Sequence, residues 1–466
     1  MRIRLILLFG LCTLLAGCTA YWASPPAGQE VTAVAYPPPV WTEEPTEPPL
    51  PTMTPWPTLP TTPTPTYPPG PPKPTPEVTP IRPFPTPAFP PIPQGPRPAA
   101  LGTIWYPYLP SPDAYPVLKA VLVDEEGRRW GESERIFEFP PNWGSDWGAL
   151  YPSPDGRTFV ADIVSGEESR SFWVKPDSGE ITPISVAQEW DFLAWGPSPQ
   201  VFAWRLGHRD IRLLDMDTQQ YRIFSFPTSE YGDPLVRGVA LSPDQSTLAD
   251  LCIYGPTQIH PGSNITVSVQ PLVGGNRVPV VSLHIPGGAD MPGNHLIWAP
   301  DSQHLTFLLF TGMYDNDPSN DDSQLWIVDK DGISSRILAH GLTVYHPAVW
   351  SPDGQYIAYI RAKRPAWMDS PADLWLFDLA TSTEIQLTRF DEQRYVTSVA
   401  WSPDGQRLAF AVTVESGNST AGYDKIGDYG EVWITSLDGQ EQYPIAGPTA
   451  PDAPVAWLPA TKGGQR

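Results

Sequence analysis

Cysteine is almost absent from this chain, occurring only as Cys12, Cys18 and Cys252. Two of these fall in an amino-terminal targeting segment, so a domain beyond it has no partner with which to form an intramolecular disulfide. Cys252 stands in an apolar strand pattern over 248–253 and reads as a small buried hydrophobe, not a reactive thiol. Positive charge is also scarce: 29 Lys and Arg stand against 51 Asp and Glu, a net charge of −22 with no basic cluster to offset it. Such a field repels phosphate backbones, which excludes nucleic acid as a partner. The sequence lacks a Gly-x-Ser-x-Gly elbow, a His-Glu-x-x-His helix and a phosphate-binding glycine loop, so no catalytic residue is named, no cofactor is implied and the chain is expected not to be an enzyme. Its apolar run at 5–15 is too short to span a bilayer as a stable helix.

What the chain has in excess is proline, 62 residues of it, unevenly spread. Arg2 and Arg4, the 5–15 run and small residues after it make an export signal over 1–17. The sequence Leu15-Ala16-Gly17-Cys18 resembles the lipobox of bacterial lipoproteins, which implies lipidation of Cys18; an ordinary secretory signal or an uncleaved anchor are the alternatives. From 18 to 100 run repeats such as Thr61-Thr62-Pro63-Thr64-Pro65-Thr66 and Pro71-Pro72-Lys73-Pro74. Proline at this density forms neither helix nor sheet and favours polyproline II, a semi-rigid spacer rising about 3.1 Å per residue. A ligand for aromatic-groove domains is the competing reading of the same segment.

Residues 101–460 have the mixed composition of one folded domain, with 461–466 as a tail. They also repeat. Trp350-Ser351-Pro352-Asp353-Gly354 and Trp401-Ser402-Pro403-Asp404-Gly405 are full copies, each followed by an apolar strand. Degraded copies begin at Trp195 and Trp298, at Leu241-Ser242-Pro243-Asp244 and at Pro152-Ser153-Pro154-Asp155-Gly156, with a faint one at 110–113 and a last fragment at Trp457-Leu458-Pro459. Each copy holds an aromatic slot that ends a strand, then a turn with Ser, Pro, Asp and Gly in the order a type I turn favours. A further strand such as Leu374-Trp375-Leu376-Phe377-Asp378 and a second hairpin complete the unit. Antiparallel strands in such units expose two apolar faces, and neighbouring sheets packed around an axis cover both.

These repeats resemble the WD-like repeat of TolB and of the propeller domains of prolyl-oligopeptidase-type enzymes. The resemblance covers 101–460 and implies an all-β propeller of about seven four-stranded blades, with six or eight as alternatives. In the seven-blade reading, 454–457 supply the innermost strand to a blade otherwise formed by 117–139, and 103–108 is the competing strand. An anchor and a stalk stand where TolB has an α/β domain.

In a four-stranded blade the Ser-Pro-Asp-Gly turns mark one face and the long insertions at 254–263, 312–323, 362–372 and 415–430 belong to the other, where binding residues are expected. Lys363, Arg364, Trp367, Met368 and Asp369 combine cations with an aromatic and a methionine, and Tyr423, Asp424 and Tyr429 lie on the next insertion. Asp315, Asp317 and Asp321 alternate as at the start of a calcium loop, but Asn320 and Trp326 stand where its glycine and glutamate belong, so a solvated acidic turn is the competing reading. His340 and His346 flank an inter-blade link without a third ligand at metal spacing and read as ordinary loop residues. The whole reads as a lipid-anchored module of the bacterial cell envelope, its folded domain extracytoplasmic, that binds an envelope protein or glycan. A propeller-type carbohydrate-active enzyme with carboxylates near the axis is the alternative, and a purely structural surface protein is a third reading.

Overall fold

The computed structural model describes residues 89–98, 102–109, 117–133, 136–139, 146–165, 168–184, 192–195, 200–206, 210–218, 220–226, 234–255, 262–285, 288–290, 295–311, 322–343, 346–363, 371–391, 393–414 and 429–460. Within them every regular element is a strand, and the strands form small antiparallel sheets in a β-propeller arrangement. The signal segment, Cys18 and the repeats before 89 lie outside the described residues.

Five sheets stand as separate blades. They run over 146–183, 192–225, 235–285, 289–340 and 349–386, and in each the chain passes from an innermost strand outward. In the last of these the order is Val349–Trp350, Tyr356–Ala362, Ala372–Asp378, Thr383–Gln386. The sixth sheet has eight strands: Arg394–Trp401, Arg407–Val414, Tyr429–Ser436 and Gln442–Thr449 continue into Gly102–Tyr108, Val117–Val123 and Arg129–Glu132, with Ala456–Leu458 paired to Gly102–Tyr108. The expectation of about seven separate blades is thereby corrected to five, because the pairing Tyr108↔Thr449 welds two groups of strands into one sheet. The stretch read as a competitor, 103–108, is an integral second strand: Thr103↔Leu458, Ile104↔Trp457 and Trp105↔Ala456 pair it to the final strand, and its whole length pairs to Val117–Val123.

The repeat residues build the turns and the seams. Ser351 Oγ donates to Asp353 Oδ1 (2.6 Å), Asp353 Oδ1 accepts from Gln355 N (3.0 Å), and Ser351 Oγ accepts from Tyr356 N (2.9 Å). Ser402, Asp404, Gln406 and Arg407 repeat this network. Gly354 and Gly405 follow at φ 72° and 71°, a left-handed backbone that glycine adopts without a Cβ penalty. Successive turns stack: a Cβ on Gly405 would lie 3.4 Å from Pro352 Cδ, and one on Gly156 only 2.8 Å from Pro459 Cδ. Pro459 of the last fragment thus sits against the turn at 153–156. Above the turns, the tryptophans bind sheet to sheet through indole N–H donors: Trp195 to Tyr151 O, Trp298 to Ala240 O and Trp401 to Val349 O, each at 3.1 Å. Trp350 instead donates to Thr306 Oγ1 at 2.9 Å.

Apolar alternation places the core between neighbouring groups of strands. Phe390, Val396, Trp401 and Phe410 pack with Leu374, Leu376 and Leu387 across one seam. Trp105, Phe137, Ala456 and Leu458 pack with Phe159 and Phe172 across another. Ile104, Tyr106 and Trp457 pack with Ala409, Val432 and Ile445 between the two strand groups joined in the eight-stranded sheet. Cys252 is buried in the seam shared with Phe224 and Phe226, as the strand pattern indicated, and burial pushes its thiol pKa up.

Candidate functional site

The insertion between Tyr356–Ala362 and Ala372–Asp378 leaves the sheet at the end away from the Ser-Pro-Asp-Gly turn, because consecutive antiparallel strands are joined at alternate ends. At the root of that insertion two grooves of about 500 and 430 Å³ adjoin, sharing Arg361, Ala362 and Lys363. The larger spans two sheets and is also lined by Asp322, His340 and Glu384. The smaller is lined by Asp373, Trp375, Gln386, Arg389 and Phe390.

Strand register explains the assembly. Arg361↔Asp373 and Tyr359↔Trp375 are cross-strand pairs, and Trp375↔Gln386 carries the row outward. Arg361 lies over the rings of Trp375 (4.5 Å) and Tyr359 (5.4 Å), donates to His340 O at 2.9 Å and pairs with Glu384. Tyr359 Oη donates to Glu384 Oε1 at 2.5 Å, and burial with this bond holds the phenol well above its ordinary pKa. Asp373 is 3% exposed and fully engaged: its Oδ1 accepts from Thr388 Oγ1 (2.9 Å) and Phe390 N (3.0 Å), its Oδ2 from Gln386 Nε2 (3.2 Å), with Lys363 Nζ 3.6 Å away. Lys363 Nζ also donates to the carbonyls of Phe390 and Asp391. On the neighbouring sheet His340 Nδ1 is 2.7 Å from Asp322 Oδ2, which accepts from Gln324 Nε2 at 3.0 Å.

The result is a set of side chains fixed in place before any ligand arrives, with paired charges and exposed N–H and O acceptors side by side. Rigid, pre-oriented polar groups beside aromatic surface lower the ordering cost of binding. Arg389, exposed on the rim, carries no hydrogen bond or ion pair among the described residues. No group of three or more metal-ligating side chains occurs among the described residues.

Of the residues singled out from sequence, Lys363 lines both grooves. Tyr429 begins the corresponding strand of the next sheet, opposite Val414, and burial followed by the charge of Glu431 raises its pKa, with Arg394 opposing. Arg364, Trp367, Met368, Asp369, Tyr423 and Asp424 lie outside the described residues, as do Asp315, Asp317 and Asp321. Trp195, Trp298, Trp350, Trp401 and Trp457 and the turn residues Pro352, Asp353, Pro403 and Asp404 occupy the seams and turns described above. His340, taken as an ordinary loop residue, is a groove residue at the end of a strand. Arg361, Asp373, Trp375 and Glu384 were missed because they stand on three adjacent strands, and no linear spacing marks side chains that strand register brings to one groove. The carboxylates on the innermost strands are Asp146 and Asp290, whose side chains lie outside the described ones.

No known family model matches this sequence, and no curated protein matches it. Among solved structures the chain is similar to an oligogalacturonate lyase in complex with manganese (13% identity, 74% of this chain and 84% of that one, TM-score 0.45). It is similar to TolB from Acinetobacter baumannii (15% identity, 74% and 79%, TM-score 0.39) and to the β-propeller domain of Myceliophteria thermophila Cps50 (11% identity, 65% and 87%, TM-score 0.39). Likeness at this level concerns the fold and assigns no activity. The expectation that the chain is not an enzyme is corrected, for the similar structures include oligogalacturonate lyases, which are enzymes.

Proposed function

We propose that this chain is an extracytoplasmic ligand-binding module of the bacterial cell envelope, lipid-anchored at Cys18, in which the proline-rich stretch before the propeller acts as a spacer. The ligand is a protein or glycan of the envelope, taken on the face that carries the long insertions. One observation carries this reading: the grooves at the root of the 364–370 insertion are built from buried or stacked side chains, Asp373 and Arg361 foremost, whose positions are fixed by partners inside the protein. The acidic net charge and the absence of a basic cluster favour a neutral or polar polymer over a polyanion.

The test compares ligand retention by the full-length chain and two variants against envelope glycans and envelope proteins. Arg361→Ala with Glu384→Ala removes the groove wall, while Gln355→Ala alters only the opposite, short-turn face. Retention by the native chain and Gln355→Ala, with loss in the groove variant, supports the reading. Equal retention by all three contradicts it.

A further inference from the structure

The described part of the proline-rich stretch, 89–98, does not stand clear of the propeller. Phe89 lies under the guanidinium of Arg129, 4.8 Å from ring centroid to carbon. Arg129 belongs to Arg129–Glu132, the outermost strand of the group that Ala456–Leu458 completes. Its Nε is buried without a hydrogen-bond partner among the described residues, and its ion pair with Glu132 is long, at 3.7 Å. Stacking on Phe89 is therefore the contact made by the face of the guanidinium, beside that long ion pair. Burial along the segment follows the same side: Phe89, Pro90 and Pro93 are partly covered, while Pro91, Ile92, Gln94, Gly95, Pro96 and Arg97 are exposed, Ile92 at 48%. Pro90 and Pro93 are three residues apart, the spacing of one polyproline II edge, and Pro98 is partly covered again beyond a bend at Gln94-Gly95, where Gly95 stands at φ 133°.

We propose that 89–98 is a docked proline-rich strap whose anchor is the stack of Phe89 on Arg129, and that the outer strand Arg129–Glu132 is its seat. The strap fixes where the spacer leaves the propeller, so the folded domain is carried in one orientation and does not swivel about residue 100. The face carrying the grooves is then presented in a set direction. This inference stands independently of what ligand the grooves take. The planar guanidinium of Arg129 covers the ring face, where a lysine ammonium would meet it only as a point charge.

The test uses the full-length chain with spin labels at Ile92→Cys and Val273→Cys, both exposed positions, and reads the distance distribution between them by pulsed electron paramagnetic resonance. The docked strap gives one narrow distance. Phe89→Ala and, separately, Arg129→Ala replace it with a broad spread while the propeller keeps its unfolding transition, because neither residue belongs to the packed seams. A broad spread in the parent chain overturns the docking itself. A narrow distance that persists in both variants overturns the stack as its anchor.

Discussion

The indole N–H of Trp401 donates to the main-chain carbonyl of Val349, 3.1 Å away and one residue before the aromatic slot of the neighbouring sheet. Trp298 to Ala240 and Trp195 to Tyr151 keep the same offset. The tryptophan of each such copy therefore does two things: its ring fills the seam and its N–H satisfies a carbonyl on an innermost strand. Trp401→Phe retains most of the ring and leaves that carbonyl without its donor, for an expected loss of about 1–2 kcal/mol. Trp401→Ala opens the seam as well and is expected to cost about 3–5 kcal/mol. Urea denaturation of the two variants checks both values, and equal losses would contradict the division of roles.

The final strand closes the sheet arrangement by pairing Trp457 opposite Ile104 and by seating Pro459 on Gly156. Removal of residues 452–466 is expected to abolish the single cooperative unfolding transition, because Gly102–Tyr108 then loses its inner partner and two seams lose Trp457, Ala456 and Leu458. Removal of 461–466 alone is expected to leave the transition unchanged. Calorimetry of the two truncated chains distinguishes them.

The turn aspartates make stability depend on acid in a defined direction. Hydrogen bonds from the hydroxyls of Ser242 and Ser246 hold Asp244 below the usual carboxylate range, and Ser436 Oγ with Gln440 N does the same for Asp438. A carboxylate whose folded pKa is lowered contributes stability that is present above its unfolded value of about 3.9 and is lost as pH falls through the folded value. Asp244→Asn with Asp438→Asn is expected to be less stable at pH 7 and to lose less on acidification below pH 4. Urea midpoints measured across that range for parent and variant should converge; parallel curves would contradict the assignment.

Asp373 is expected to matter more for folding than for contact with a ligand. Its replacement by alanine leaves Phe390 N and the ammonium of Lys363 without an acceptor they now share, for an expected loss of about 3 kcal/mol. Arg389→Ala, at the exposed rim, should change stability by less than about 0.5 kcal/mol. Denaturant titration of each variant checks the contrast.

How much of this was legible in the sequence follows from which residues repeat. The Ser-Pro-Asp-Gly turns are local chemistry, a side chain bonding to backbone two to five residues away, and such chemistry is written in consecutive letters, with the tryptophans marked by standing just before them. The strand count at the ring closure was less legible. Whether 103–108 was a strand of the last group or a rival depended on pairing with Ala456–Leu458, more than 300 residues distant, and whether two groups stayed separate depended on the one pairing of Tyr108 with Thr449. The grooves were legible only at Lys363. Arg361, Asp373, Glu384 and His340 come from three strands and a neighbouring sheet, and no linear spacing announces side chains that meet only through register.

The central claim, that the insertion face is where this protein meets its ligand, is tested most directly by photo-crosslinking in cells that make the full-length chain. A photo-reactive residue replaces Arg389 at the groove rim in one strain and Gln355 on the short-turn face in another. A recurrent envelope protein or glycan adduct from position 389, absent from position 355, is the predicted result. Adducts equal at both positions, or found only from position 355, would contradict the account.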